Sequence, residues 1–342
     1  MQKKLKKGHL IDNSGHLIEA GYAKEHLKLY NRQQIKKSSL RIKEWDYHYV
    51  NTKRFGIGIT IADNGYVGLI SAAVMDFDNA RVHQKMRVKL LSRGKMNLVC
   101  HPENGKTTFV KKGVNFNLSY NKLRTSIKLY WEKFKDEKPL EVDIKLDQKP
   151  KNSMVIAVPF EKPYQFYYNQ KTIGMQAKGF VNFEGETYTL RKDTALGLLD
   201  YGRGVWPYKS TWFWGAFQGR YKNTIIGLNI GGGFGNNTQA SEDMFFIDGI
   251  GHKLSKGRFK LSNLEDGSYD YLSPWYYETE DNRLKVKFNP SLKRVSKTNL
   301  GIIKNVQHQI FGDFEGSVIL DDGSKFEFES IQGFAEHFIN KW

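Results

Sequence analysis

Residues 199–214 form the densest group of polar and aromatic side chains in the chain. Asp200 and Arg203 are close enough in sequence to pair around a glycine bend. An arginine held by a carboxylate beside indoles can orient a polar group of a ligand. If the chain is extended over 211–219, the side chains of Trp212 and Trp214 share one face. The segment therefore predicts a ligand site with Asp200, Arg203, Trp206, Tyr208, Trp212 and Trp214. The alternative interpretation is an ion pair that fixes a loop against an aromatic core.

A second group of polar residues lies in apolar surroundings further along the chain. In a strand over 242–248, Glu242 and Asp248 share one face with apolar residues, and Asn229 lies on the apolar face of another strand. Such groups either satisfy one another or face a cavity. Burial raises the pKa of a glutamate, which suits it to act as an acid. Asp200 and Glu242 are therefore candidate catalytic acids, and a purely structural network stays open as the alternative.

No sequence pattern in the chain indicates a metal or a cofactor. The nine histidines are scattered, and no pair has metal-ligand spacing backed by acids. The glycine run 231–235 completes no phosphate-binding pattern. Cys100 and His101 are adjacent, so in a strand they would point to opposite faces. We therefore expect no metal and no cofactor.

The elements that position these residues are predicted to be antiparallel strands. Apolar and polar residues alternate with a period of two over 114–120, 141–146, 283–288 and 325–329. Turn pairs such as Asn64-Gly65 and Asp322-Gly323 separate the strands. We predict an all-β fold of two antiparallel barrels in tandem, with few short helices, at Tyr22 to Tyr30 and Asp193 to Asp200. The length of 342 residues favours two domains, and the proline- and aromatic-rich stretch near 160–171 places them at 1–165 and 166–342.

The composition limits the compartment and the partners. A single cysteine and the polar residues that follow Lys3 to Lys7 predict a cytoplasmic protein without a signal peptide. The net charge is +17, but the 53 basic residues are interleaved with 36 acidic ones. We therefore expect a solvated basic surface and no specific nucleic-acid binding, and peripheral contact with an anionic membrane stays open.

A set of segments spread over nearly the whole chain forms a combined pattern: 8–17, 21–23, 40–49, 200–204, 212–214, 227–229, Glu242, 248–254, 311–316, 333–337 and Trp342. Together these segments resemble the family known as domain of unknown function 2804. In the central block, Tyr201 stands where the family often has tryptophan after the aspartate, which keeps an aromatic residue.

The family is similar, at a greater distance, to tandem lipocalin-like (calycin) proteins such as carotenoid hydratases, tocopherol cyclase and pericyclase-type enzymes. The resemblance implies two calycin-like barrels and a site for an apolar molecule, but it supplies no catalytic residues.

Three functions remain open from the sequence. The first is binding of a hydrophobic, lipid- or isoprenoid-like small molecule by Arg203, the aromatic residues and Asn229. The second is a cofactor-free hydratase, cyclase or isomerase that uses Asp200 or Glu242 as the acid. The third is an interaction protein whose basic surface contacts anionic lipid or nucleic acid. Binding ranks slightly above catalysis, because no motif demands catalysis, and the oligomeric state stays undetermined.

Overall fold

The chain is built almost entirely of antiparallel strands. A computed structural model describes residues 2–147, 150–299 and 304–341. Trp342, part of the family resemblance, lies outside them. Within these residues, the one helical element is a 3₁₀ turn at Arg32–Gln34. The two expected helices are wrong, because Tyr22 belongs to a strand and the second segment runs into another strand at Leu196.

The first sheet contains 13 strands, and a separate two-stranded parallel pair joins Gly8–His9 to Lys28–Leu29. In chain order the strands of the first half are β1 (Gly8–His9), β2 (Gly21–Ala23), β3 (Lys28–Leu29), β4 (Ile42–Asn51), β5 (Phe55–Asp63), β6 (Val67–Asp76), β7 (Arg81–Leu90), β8 (Gly105–Lys111), β9 (Val114–Tyr120), β10 (Arg124–Lys135), β11 (Lys138–Asp147), β12 (Met154–Pro159), β13 (Phe166–Phe183), β14 (Glu186–Leu190) and β15 (Leu196–Val205). The main path through the sheet is β7-β6-β5-β4-β15-β13-β11-β10-β9-β8.

The second sheet contains nine strands in the order β19-β18-β17-β16-β24-β23-β22-β21-β20. Its strands are β16 (Lys209–Tyr221), β17 (Thr224–Gly232), β18 (Met244–Ile247), β19 (Ile250–Lys253), β20 (Gly257–Lys260), β21 (Trp275–Thr279), β22 (Leu284–Asn299), β23 (Lys304–Ile319) and β24 (Lys325–Lys341). Both sheets curl into half-barrels, which confirms the predicted all-β tandem fold.

The change from one sheet to the other lies between Val205 and Lys209. The predicted division at 165/166 therefore needs correction, because β13 pairs with β11, β12 and β15 inside the first sheet. The stretch near 160–171 looked like a linker since it contains two prolines and many aromatic residues. In the structure those aromatics begin a long central strand.

Three layers of apolar side chains form the core. One fills the interior of the first half-barrel, one fills the interior of the second, and a third lies between the two sheets. We call this third layer the seam. Residues alternate between faces along each strand, so each strand that borders the seam sends every second side chain into it. The seam contains Tyr47, Tyr49, Tyr167, Trp206, Trp214, Phe234, Phe311 and Phe334.

Among the described residues, no helix combines the length and the apolar character needed to cross a bilayer.

Candidate functional site at the seam

A buried lysine is the centre of a polar cluster within the seam. Lys171 on β13 pairs directly with Asp200 on β15, and its ammonium nitrogen lies 3.1 Å from Asp200 Oδ1. The same nitrogen lies 3.9 Å from Glu242 Oε2 and 3.8 Å from the centre of the Trp214 ring. Both partners of these ion pairs are almost fully buried. The ammonium is therefore held between two carboxyl groups and the face of an indole.

Asp200 is fixed by two further donors. Trp45 donates from Nε1 to Asp200 Oδ2 at 3.0 Å, and Asn169 donates from Nδ2 to Asp200 Oδ1 at 2.5 Å. The indole of Trp45 reaches this position because it lies flat on Gly202, where a Cβ would come within 2.2 Å of the ring. Gly202 thus permits a close approach within a regular strand, and the sharp bend predicted there does not occur.

Glu242 enters the seam from the segment just before β18. The carbonyl oxygen of Glu242 accepts a hydrogen bond from Asn229 Nδ2 at 2.7 Å, and Asn229 Oδ1 accepts one from Trp214 Nε1 at 2.8 Å. The Glu242 carboxyl packs against Gly231, whose Cβ would come within 2.4 Å of Oε1. The hydrogen bond that its Oε2 accepts from Asn229 Nδ2 is long, at 3.5 Å. The Glu242 carboxyl is therefore positioned mainly by packing.

Burial outweighs the nearby cations at two carboxyl groups of this cluster. Burial raises the pKa of Glu242, and Asp200 adds to this effect, whereas Lys171 and Lys253 oppose it. On β24, burial raises the pKa of Glu336 to about 7, although a hydrogen bond from Gln307 and the charges of Lys171 and Arg294 act in the opposite direction. Glu336 therefore keeps its proton at a pH where exposed glutamates are ionised.

Aromatic rings connect this cluster to the surface. The ring of Trp45 contacts Trp206 with centroids 4.5 Å apart, and Trp206 contacts Phe234 at 5.1 Å. Phe234 in turn contacts Trp212 at 4.6 Å and Phe160 at 5.1 Å. We call these five rings the aromatic row. Trp45, Phe160 and Trp212 are only partly buried, so the row ends at solvent.

A groove of about 1100 Å³ opens at that end of the aromatic row. Its walls include Phe160, Val205, Pro207, Tyr208 and Ile339. The groove therefore lies where the chain passes from the first sheet to the second.

The structure brings most of the predicted site residues together. Asp200, Trp206, Trp212, Trp214, Asn229 and Glu242 all border the seam. Tyr208 is 40% exposed and lines the groove instead. Asp248 lies in the turn after β18, where it accepts a hydrogen bond from the Ile225 amide, so it does not share the face of Glu242.

Arg203 does not belong to this site. It lies three residues after Asp200 on a regular strand, so its side chain points to the opposite face, into the interior of the first half-barrel. There it is fully buried, and its Nη2 lies 2.9 Å from Asp46 Oδ1. It also donates to the carbonyl oxygens of Trp45, Gly202 and Val99 at 2.7–2.8 Å. These partners bind both terminal nitrogens of the guanidinium, and the side chain is enclosed in the half-barrel, so the predicted ligand-orienting role of Arg203 is corrected to a structural one.

Sequence reasoning missed Lys171, Glu336, Asn169 and Trp45 as site residues. Two signals were present. Glu336 is a charge directly after the apolar run 333–335, and Trp45 stands among the segments that resemble the family. Lys171 carried no such signal, because its importance depends on its register opposite Asp200.

Two solved structures are similar to this chain. An AttH-type protein from Nitrosomonas europaea has a TM-score of 0.54 at 11% identity, covering 87% of this chain and 92% of that one. Kievitone hydratase from Nectria haematococca has a TM-score of 0.50 at 12% identity, covering 87% of this chain and 88% of that one. At such identities the likeness concerns the fold, which is that of tandem lipocalin-like proteins. Among curated proteins, no sequence matches the chain. The model of the family described as domain of unknown function (DUF2804) matches residues 2–342, and the chain belongs to that family.

Proposed function

We propose that this protein binds a hydrophobic small molecule, lipid- or isoprenoid-like, against the aromatic row of the seam. The observation that carries the proposal is the continuity of three features: an open groove, a row of five aromatic rings and a buried polar cluster. Flat aromatic walls with a few polar groups at one end are typical of small-molecule sites. The fold likeness to kievitone hydratase supports a small molecule as the ligand.

Intrinsic fluorescence tests the binding, because indoles form much of the proposed site. We expect dodecanol, below its solubility limit, to quench tryptophan emission with a saturable curve. Trp45→Phe should remove a substantial part of that change. The matched control is Trp131→Phe, since Trp131 is fully buried in the interior of the first half-barrel and away from the seam. An equal loss of signal in both variants, or no saturable quenching, would contradict binding at the seam.

Acid catalysis on the bound molecule is the second candidate function. It is favoured by the excess of carboxyl groups around Lys171, which leaves Glu242 able to hold a proton. The Glu242 proton would add to a carbon–carbon double bond, and the resulting cation would take up water. That water would then return a proton to Glu242. The neighbouring indoles of Trp45 and Trp214 would stabilise positive charge on the ligand.

Deuterium incorporation separates catalysis from binding alone. The protein would be incubated in D₂O with linalool or nerol, and deuterium on carbon would be measured by mass spectrometry. We expect incorporation with the wild type and its loss in Glu242→Gln, while the fluorescence response to dodecanol persists. Incorporation that is equal in wild type and Glu242→Gln would remove Glu242 as the acid. No incorporation above buffer with either alkene would favour binding without chemistry.

A further inference from the structure

The groove at the end of the aromatic row is strongly basic. Among the residues that the structure describes, cationic side chains line it from loops of the first half and from strands of the second sheet, and the one carboxylate in the lining is Glu161. They are Lys37, Arg41, Lys162, Lys209, Lys304 and Lys341. The chain as a whole mixes basic and acidic residues along its length, so this local excess of positive charge is not a consequence of composition.

Three of these cations form a row across adjacent strands. Lys341 on β24 lies directly opposite Lys209 on β16 and directly opposite Lys304 on β23. Directly opposed residues project from the same face of a sheet, about 5 Å apart at Cβ, and like charges in that position are destabilising. An anion bound between the three ammonium groups would remove this repulsion.

The six cations keep their capacity to bind an anion. Over residues 2–147, 150–299 and 304–341, no carboxylate lies within ion-pair distance of any of them. Lys37 lies over the Tyr164 ring at 3.4 Å, and Lys341 lies 5.6 Å from the centre of the Tyr208 ring. Arg41 donates one hydrogen bond, from Nη2 to the Trp206 carbonyl at 2.8 Å, which leaves its other donors available.

We infer that the groove binds the carboxylate or phosphate head of an amphiphilic small molecule whose apolar part lies along the aromatic row. The inference rests on the proposed function for the apolar part, and it adds the charge of the ligand. The anion-binding role that the sequence suggested for Arg203 thus falls to lysines that converge on the groove from strands distant in sequence. A volume of about 1100 Å³ is close to the upper end of the range of sites for single small molecules, which favours one amphiphile over an extended polyanion.

Isothermal titration calorimetry with matched probes tests this inference. Dodecanoate, dodecyl phosphate and dodecanol, each below its aggregation limit, share an apolar chain and differ in the head. The test variant combines Lys209→Gln, Lys304→Gln and Lys341→Gln. The control variant combines Lys106→Gln, Lys112→Gln and Lys122→Gln, which are exposed lysines of the first sheet. We expect the test variant to bind both anions about tenfold more weakly, as three partly exposed charge contacts allow, with dodecanol binding unchanged. The control variant should bind all three probes as the wild type does.

Two groups of outcomes would overturn the inference, and a third concerns the proposed function separately. The test variant could bind dodecanoate as tightly as the wild type does, or bind dodecanoate and dodecanol more weakly by the same factor. Either result would show that the row of three lysines does not bind the anionic head. The wild type could instead bind phosphatidylglycerol vesicles or duplex DNA more tightly than dodecanoate and lose that binding in the test variant. This result would show that the groove binds a larger polyanion and not a small amphiphile. Failure of dodecanol to bind the wild type while dodecanoate binds would contradict the proposed apolar site and leave the anion site standing.

Discussion

Two buried groups of charges lie on opposite faces of β15, and they differ in how closely their carboxyl groups contact a cation. In the interior of the first half-barrel, Arg203 faces Asp46, and Arg32 pairs with Glu44. Each carboxylate there has a second donor, because Tyr120 donates to Asp46 at 2.9 Å and Tyr30 donates to Glu44 at 2.7 Å. In the seam, the Lys171 ammonium lies 3.1 Å from Asp200 but 3.9 Å from Glu242, and Glu336 accepts a hydrogen bond from the neutral amide of Gln307.

This difference separates structural charges from candidate functional ones. A buried ion pair in close contact resists change, since removing either partner leaves an uncompensated charge. A buried carboxyl group without a close cation instead holds a proton, which it can exchange with a ligand. Asp200 and Arg203 lie three residues apart on β15 and belong to different groups, because strand parity directs their side chains to opposite faces.

The largest expected effect is on the interior group. Arg203→Met leaves Asp46 without its cation and several carbonyl oxygens without a donor, so we expect the free energy of unfolding to fall by about 3 to 5 kcal/mol. Urea denaturation followed by circular dichroism would measure it. The matched control is Arg191→Met, whose guanidinium is largely exposed and pairs with Asp193, and which should change stability by no more than about 0.5 kcal/mol. Similar effects of the two substitutions would break the assignment of Arg203 to the structural group.

A smaller effect, which depends on pH, is expected in the seam. Burial raises the pKa of Glu336 to about 7 from an ordinary value of 4.5, so the folded state binds this proton more tightly than the unfolded chain does. Stability from Glu336 is therefore complete below about pH 4.5 and is lost as the pH rises towards 7, by about 3 kcal/mol. The groups that act on Glu336 are Gln307, Lys171, Asp200 and Arg294.

Glu336→Gln should flatten this part of the pH profile, because a neutral amide binds no proton. The difference in unfolding free energy between variant and wild type would be measured at steps from pH 4.5 to 7.5. Glu329→Gln is the matched control on the same strand, since Glu329 is exposed. A difference that stays constant with pH, or that grows in the same way for the control, would show that Glu336 is ionised in the folded protein.

The sequence was sufficient for the fold, and most of the site residues predicted from it border the seam, for physical reasons. Alternation with a period of two is a local pattern, so it can be read directly from the sequence. The placement of the Trp212 and Trp214 indoles on one face follows from this alternation. The prediction that Asp200 pairs with Arg203 was wrong. It rested on a bend at the glycines 202 and 204, whereas in the structure these glycines make room for indole rings within a straight strand. With no bend, residues three apart face opposite sides.

Contacts that depend on register could not be read from the sequence. Lys171 meets Asp200 because β13 pairs with β15, and the lysine row exists because β16, β24 and β23 align at Lys209, Lys341 and Lys304. No local pattern contains this information. The predicted domain boundary was wrong for a related reason. The sequence of β13 resembles the start of a domain until the strands that pair with it on both sides are known.

The most direct test of the proposed function is a crystal structure with 12-bromododecanol, an uncharged chain that carries an anomalous scatterer at its far end. We expect the bromine peak beside the aromatic row, between the two sheets, within contact of Trp45 or Trp206. A peak in the interior of the first half-barrel near Arg203, or the absence of any peak at the seam in crystals that contain the probe, would contradict the account.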